Sequence, residues 1–247
     1  MFSWHTAIWI FLIQALGYGV KGLVGFGNPL VATPLLSLFL DSALIPPGTL
    51  LLDAPVNAYI AWKNRASFRW RRLLPTIGAV LCGVIPGTLL LKIPFQRGLK
   101  ILLGLLVLGL GVELATRGRR SAGRDIPWVR YGVAFVSGVC AGIFGINMLI
   151  VAYLKRQAAS YDEFKGGLCF LFLAENLFRL VVYLAAGLMT PAVLLLAAVS
   201  VPAAVAGVAV GGALSSRLPE RGINACAVVM FLLSGASILI KALFFGA

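Results

Sequence analysis

Four ionisable residues, Lys21, Asp53, Glu175 and Arg179, fall inside long apolar stretches of this sequence. A charge in hydrocarbon is costly, so such groups persist where they bind an ion, move a proton or hold one another. Around the first of them the sequence reads KGLVGFGNPLVATPLL, from Lys21 to Leu36, with three glycines, an asparagine and two prolines inside what would otherwise be a spanning helix. Interrupted backbone at membrane depth leaves N–H and C=O groups unpaired, and it survives only where protein or a watery cavity covers it. What the interruption offers is chemical. Pro29 suits the first turn of a new helix, with Asn28 as its N-cap. The free N–H groups at such a start, the positive end of the helix dipole and the Lys21 ammonium together make a site for a small anion.

A second interruption, GIFGINM from Gly142 to Met148, repeats the glycines and supplies Asn147, without a following proline. The expected substrate-binding residues are therefore Lys21, Gly25, Phe26, Gly27, Asn28, Asn57, Gly145, Asn147, Asn176 and Arg179. Asp53 and Glu175 are the proton-coupling candidates, because carboxylates buried near cations can exchange protons near neutral pH. Plainer readings stay open for several of these. Lys21 can snorkel or pair with a structural acid. Glu175 and Arg179 stand four apart on one helix, in the order that lets them pair with each other. Gly83, Gly87, Gly207 and Gly211 read as close-packing glycines of the kind that let membrane helices approach. No catalytic residue, cofactor or metal is expected.

The elements that must position these residues follow from composition. Of 247 residues, 60% are hydrophobic and 12% charged, well outside the range of a soluble domain. Apolar runs of about 20 residues, enough to cross a hydrocarbon core, recur at about 6–40 with the break, 44–62, 73–91, 97–116, 128–154, 164–186, 191–215 and 222–245. The chain reads as an all-α polytopic membrane protein with about eight transmembrane helices. Its formal charge of +13 comes from residues at the ends of apolar runs, which argues against nucleic acid. Lys63, Arg65, Arg69, Arg71 and Arg72 form one basic cluster, and Arg117, Arg119, Arg120, Arg124 and Arg130 another. The positive-inside rule places both loops, 63–72 and 117–130, in the cytoplasm. Cys82, Cys140, Cys169 and Cys226 are dispersed and read as small core residues. The N-terminal run lacks a basic n-region and reads as a retained span.

An internal repeat is visible. Gly22 and Gly25 align with Gly142 and Gly145 at an offset of 120 (142 − 22), Asn57 with Asn176 at 119, and Gly83, Gly87 and Gly98 with Gly207, Gly211 and Gly222 at 124. The expected halves are 1–120 and 125–247, each a four-element membrane repeat whose first element is broken by a glycine-rich motif. Whether the halves are parallel or inverted stays open.

The pair of motifs, KGLVGFGNPLVATPLL early and GVCAGIFGINMLIVAYL after the midpoint, resembles the sulfite exporter TauE/SafE family over nearly the whole chain. That resemblance implies a bacterial or archaeal inner-membrane carrier for sulfite, sulfonates or related small organic anions. The family's glycine-rich motif falls on Gly22, Gly25, Gly27 and Pro34, and again on Gly142 and Gly145. The chain departs from it at Ile146, Asn147 and Met148, where a run of glycines is more usual. The expected function is secondary transport, in the sense of export, by alternating access around a midplane anion site. The alternatives are an anion channel and a carrier for another organic anion such as a carboxylate. No phosphate-binding GxxxxGK[ST], HExxH or GxSxG motif is present, and the chain has a single histidine, which leaves little for ATP use or hydrolytic chemistry. Expected partners are the small anion, the bilayer and, in a homo-oligomer, further copies of the chain.

Overall fold

A computed structural model of the chain describes residues 4–36, 38–41, 44–90, 96–117, 126–144 and 147–244. The described residues form helices and connecting turns without a strand: α1 (Trp4–Val24), α2 (Asn28–Leu36), α3 (Ile45–Lys63), α4 (Trp70–Leu90), α5 (Gln96–Arg117), α6 (Pro127–Phe144), α7 (Met148–Gln157), α8 (Tyr161–Ala185), α9 (Pro191–Arg217) and α10 (Glu220–Phe244). The apolar runs of the sequence correspond in extent to α1 with α2, α3, α4, α5, α6 with α7, α8, α9 and α10. Helices α1, α8 and α9 are each long and apolar enough to cross a membrane. Gly145 and residues 118–125 of the second basic stretch lie outside the described residues.

Local chemistry sets the helix starts. Pro46 and Pro47 open α3, where a missing N–H costs nothing. At α8 the Glu163 N–H donates to the Ser160 hydroxyl at 3.1 Å, and the Glu163 carboxylate accepts from the Ala159 N–H at 2.7 Å, close to a capping box. Thr190 caps α9 by accepting from the Val193 N–H at 3.4 Å, and Pro191 follows it.

The chain divides into two compact units. The first comprises Met1–Arg65 with Leu168–Ile223, and the second Ala66–Gly167 with Asn224–Ala247. In the first unit α1 lies along α9, α2 folds back on α1, and α3 also packs on α9. Ile10, Ile13, Ala32, Leu36, Ile45 and Leu196 form one buried apolar cluster there, and Tyr18, Leu52, Ala204 and Val208 another. In the second unit the principal contact is α4 along α6.

Both principal contacts are made by glycine. A Cβ on Gly207 would lie 2.5 Å from the Ala15 carbonyl oxygen and 2.9 Å from the Gly19 nitrogen, and one on Gly211 would strike the Gly19 carbonyl. In the second unit a Cβ on Gly83 would strike the Phe135 carbonyl and lie 3.0 Å from the Val139 nitrogen, and one on Gly87 would strike the Val139 carbonyl. Helices approach this closely only where a side chain is absent, which in lipid is a main source of helix association. Three cysteines depart from the expected core placement: Cys82 is exposed and Cys140 and Cys226 are half-buried, while Cys169 alone is fully buried.

Candidate functional site

Helix α1 stops at Val24 and α2 starts at Asn28, with Gly25-Phe26-Gly27 between them. Gly25 and Gly27 have φ of 91° and 107°, in the region where only glycine is unstrained. The Gly25 N–H still donates to the Lys21 carbonyl at 2.7 Å, closing α1, and the Gly27 carbonyl accepts from the Leu30 and Val31 N–H groups at 3.1 and 3.2 Å, opening α2. The four residues Gly25 to Asn28 are all buried. Asn28 is thus the first residue of α2 and not its side-chain cap. Its amide points elsewhere, because a buried carboxylate competes for it.

That carboxylate is Asp53, on α3. The Lys21 ammonium reaches it at 2.5 Å, and the Asn28 amide nitrogen lies 3.5 Å from the same oxygen. Lys21 is 3% exposed, Asn28 0% and Asp53 8%. A pair so buried must be closely matched, since either charge alone would carry an uncompensated desolvation cost of several kcal/mol. Tyr18 completes the wall. Its hydroxyl donates to the Thr49 carbonyl at 3.4 Å and also bears on Asp53 and Asn28, and the Lys21 ammonium stands 5.9 Å from its ring centre.

Helical spacing explains why these residues meet. Gln14, Tyr18 and Lys21 fall at i, i+4 and i+7 on α1, and Thr49, Asp53 and Asn57 at i, i+4 and i+8 on α3, so each helix turns one polar stripe inward. Gln14 and Asn57 are each 1% exposed. The amide oxygens of Gln14, Asn28 and Asn57 accept from no described residue. The cluster is therefore short of hydrogen-bond donors.

Helix α8 touches the break through Cys169, whose thiol donates to the Gly25 carbonyl at 3.4 Å. Asn176 lies seven residues further along, on the same face, and is buried. Glu175 and Arg179 pair with each other at 2.6 Å, with the guanidinium 23% exposed. The structure thus gathers Lys21, Gly25, Phe26, Gly27, Asn28, Asp53 and Asn57 in the first unit. Glu175 and Arg179 form an ion pair of their own. Asn147 belongs to the second unit, where it precedes α7 without a side-chain capping bond. There the first turn of α7 is held from α6, as the Ile150 N–H donates to the buried Ser137 hydroxyl at 3.2 Å. Tyr18, Gln14, Thr49 and Cys169 are additional to the residues expected from sequence. The polar stripe on α1 is the signal that would have found the first two. No group of acidic, histidine and cysteine side chains suited to a metal ion occurs among the described residues.

The arrangement brings one ammonium, one amide and the start of α2 together around the Asp53 carboxylate. Comparison with known proteins gives one family match, the sulfite exporter TauE/SafE model, over residues 10–238. Neither the curated proteins nor the solved structures contain a significant match.

Proposed function

Because this chain belongs to the sulfite exporter TauE/SafE family, a family of membrane transporters, we propose that it is a secondary carrier that exports a small sulfur-containing anion, sulfite or an organosulfonate, by alternating access. The observation that carries this reading is a buried lysine ammonium beside a glycine-broken helix whose second segment starts inside the same polar cluster. Lys21, Asn28 and the backbone of Gly25, Phe26 and Gly27 bind the anion. Asn57 and Asn176 line its surroundings, and Asp53 and Glu175 are the groups available for proton coupling. Gly145, Asn147 and Arg179 are further candidate binding residues.

The chain makes eight crossings in two repeats, 1–120 and 125–247. This is supported by the way contacts recur: the glycine-to-backbone approaches of α9 on α1 have counterparts of α4 on α6 at the sequence offsets of the repeat. It lies in the cell's inner membrane with loops 63–72 and 117–130 cytoplasmic, a placement supported by their charge.

A thermal-shift series on the purified chain tests the site. A ligand that binds only the folded state raises its apparent stability by mass action. Sulfite or a simple alkanesulfonate raises the melting temperature of the wild type, and Lys21→Ala loses the shift while remaining folded. An unchanged shift in Lys21→Ala removes Lys21 from the site. In proteoliposomes the carrier gives saturating flux that responds to a pH gradient. Linear flux that ignores the gradient identifies a channel.

A further inference from the structure

The anion site proposed above contains a cation already matched by a carboxylate, and the single positive charge of Lys21 cannot neutralise both Asp53 and an entering anion in a buried space, although its three N–H donors can reach both. Both lie within the same cluster, so binding is a competition between a tethered carboxylate and a free one. We propose that the entering anion takes Lys21 from Asp53 and that Asp53 takes up one proton in exchange, so that one proton is bound with each singly charged anion. This inference rests on the anion-site reading and deepens it by naming the coupling ion, its acceptor and the ratio.

The charge account is simple. The Lys21–Asp53 pair carries no net charge. When the ammonium turns to an anion, the released carboxylate is 8% exposed and has lost its counter-ion, a state that burial strongly disfavours. Protonation removes the cost, because it leaves no unpaired charge in the buried cluster. The proton comes from water and goes to a carboxylate oxygen of Asp53. One negative and one positive charge enter together, and the site stays neutral.

The surroundings suit the neutral acid. Asp53 as a carboxylate can only accept hydrogen bonds, whereas as an acid it donates one. The amide oxygens of Asn28, whose own nitrogen is already 3.5 Å from Asp53, and of Asn57, one turn along the same helix, accept from no described residue. A protonated Asp53 adds one donor to a cluster whose amide oxygens lack one among the described residues. Its other neighbours do not compete for the role. Helix α1 contributes Lys21 and Tyr18, and α2 contributes Asn28. Helix α9 carries no ionisable side chain between Pro191 and Ser216. On α8, Cys169 is turned to the Gly25 carbonyl and Glu175 holds Arg179. Glu175 keeps its partner whether or not Lys21 moves, which is why the exchange is assigned to Asp53.

Calorimetric titration of the full-length protein in detergent with ethanesulfonate tests this, since that probe stays singly charged across the working range. Repeating it in buffers of different ionisation enthalpy counts protons per anion. The wild type should take up about one proton per ethanesulfonate, with Kd rising about tenfold per pH unit toward alkaline pH, as linkage to one proton requires. Asp53→Asn should bind without proton uptake and without pH dependence. A wild-type count of zero overturns the exchange, and that measurement needs no variant to fold. Proton uptake that persists in Asp53→Asn, or that disappears instead in Glu175→Gln, also overturns it. In those cases Lys21→Ala still loses binding if the anion-site reading is sound. Wild-type affinity in Lys21→Ala, or no binding of either ethanesulfonate or sulfite by the wild type, overturns the site reading and the exchange with it.

Discussion

The α1·α9 contact of the first unit and the α4·α6 contact of the second use the same device at matched positions, yet the buried Lys21–Asp53 ion pair belongs to the first unit. The glycine sites on α9 and α4 differ by 124 in number (207 − 83, 211 − 87), and the backbone groups they approach on α1 and α6 differ by 120 (135 − 15, 139 − 19). At that offset of 120, Gln14, Tyr18, Lys21 and Asn28 correspond to Ala134, Gly138, Ala141 and Met148. Backbone packing has been kept twice, whereas Gln14, Tyr18, Lys21 and Asn28 have no polar counterpart at the matched positions; among the described residues the polar groups buried in the second unit are others, Thr76, Ser137 and Lys165. The helix starts differ in the same sense: α7 has its Ile150 N–H satisfied by Ser137, whereas Ser137 corresponds to Gly17, over which the Asn28 amide oxygen lies in the first unit.

The largest effects should come from the shared device. Gly211→Ala and Gly87→Ala each drive a Cβ into a carbonyl of the facing helix, and separating the backbones should cost about 3 kcal/mol. Melting of the two variants in detergent should show comparable losses. Gly212→Ala, whose Cβ would meet nothing within 4 Å, should leave stability unchanged or raise it by up to about 1 kcal/mol through helix propensity. If Gly87→Ala melts like the wild type while Gly211→Ala does not, the two contacts are not equivalent.

Helix extents and the place of the breaks could be read from the chain because apolar run length, glycine and proline act locally. The positive φ at Gly25 and Gly27 is what a Gly-Phe-Gly-Asn-Pro sequence permits and few others do. Partnership was harder to read. Lys21 and Asp53 are 32 residues apart on different helices, and periodicity gives each a face but not a neighbour. The Glu175–Arg179 pair was legible because both ends lie on one helix turn. Asn28 is not the side-chain cap expected before Pro29, because a side chain beside a helix start turns to its own N–H groups unless a buried carboxylate from elsewhere competes. Cys169 is the small buried residue that its apolar run predicts, and nothing in its own segment announces the Gly25 carbonyl.

Next in size is the difference between Asn28 and its counterpart. Asn28→Leu removes the amide from Asp53 and from the start of α2, and should lower transport about tenfold, the loss of one charge-assisted hydrogen bond. Met148→Leu changes shape but no polarity and should stay within about 1 kcal/mol of wild-type stability, with transport preserved. Asn147→Leu probes the second break independently and should also reduce transport. Full activity in both Asn28→Leu and Asn147→Leu would leave the two breaks with a purely structural role.

The smallest effect is the most specific. Ser137→Ala removes the acceptor of the Ile150 N–H inside a site where both residues are fully buried, and the lost bond should cost about 1 kcal/mol of stability without changing anion affinity. The reciprocal change, Gly17→Ser, puts a Cβ against the Asn28 amide oxygen and pushes that side chain off its place beside Asp53. It should weaken ethanesulfonate binding more than it lowers the melting temperature. Swapping the residue at one matched position then separates the two units by kind of damage, stability in the second and affinity in the first. Equal loss of affinity in both variants would show that the two matched positions do not differ in kind.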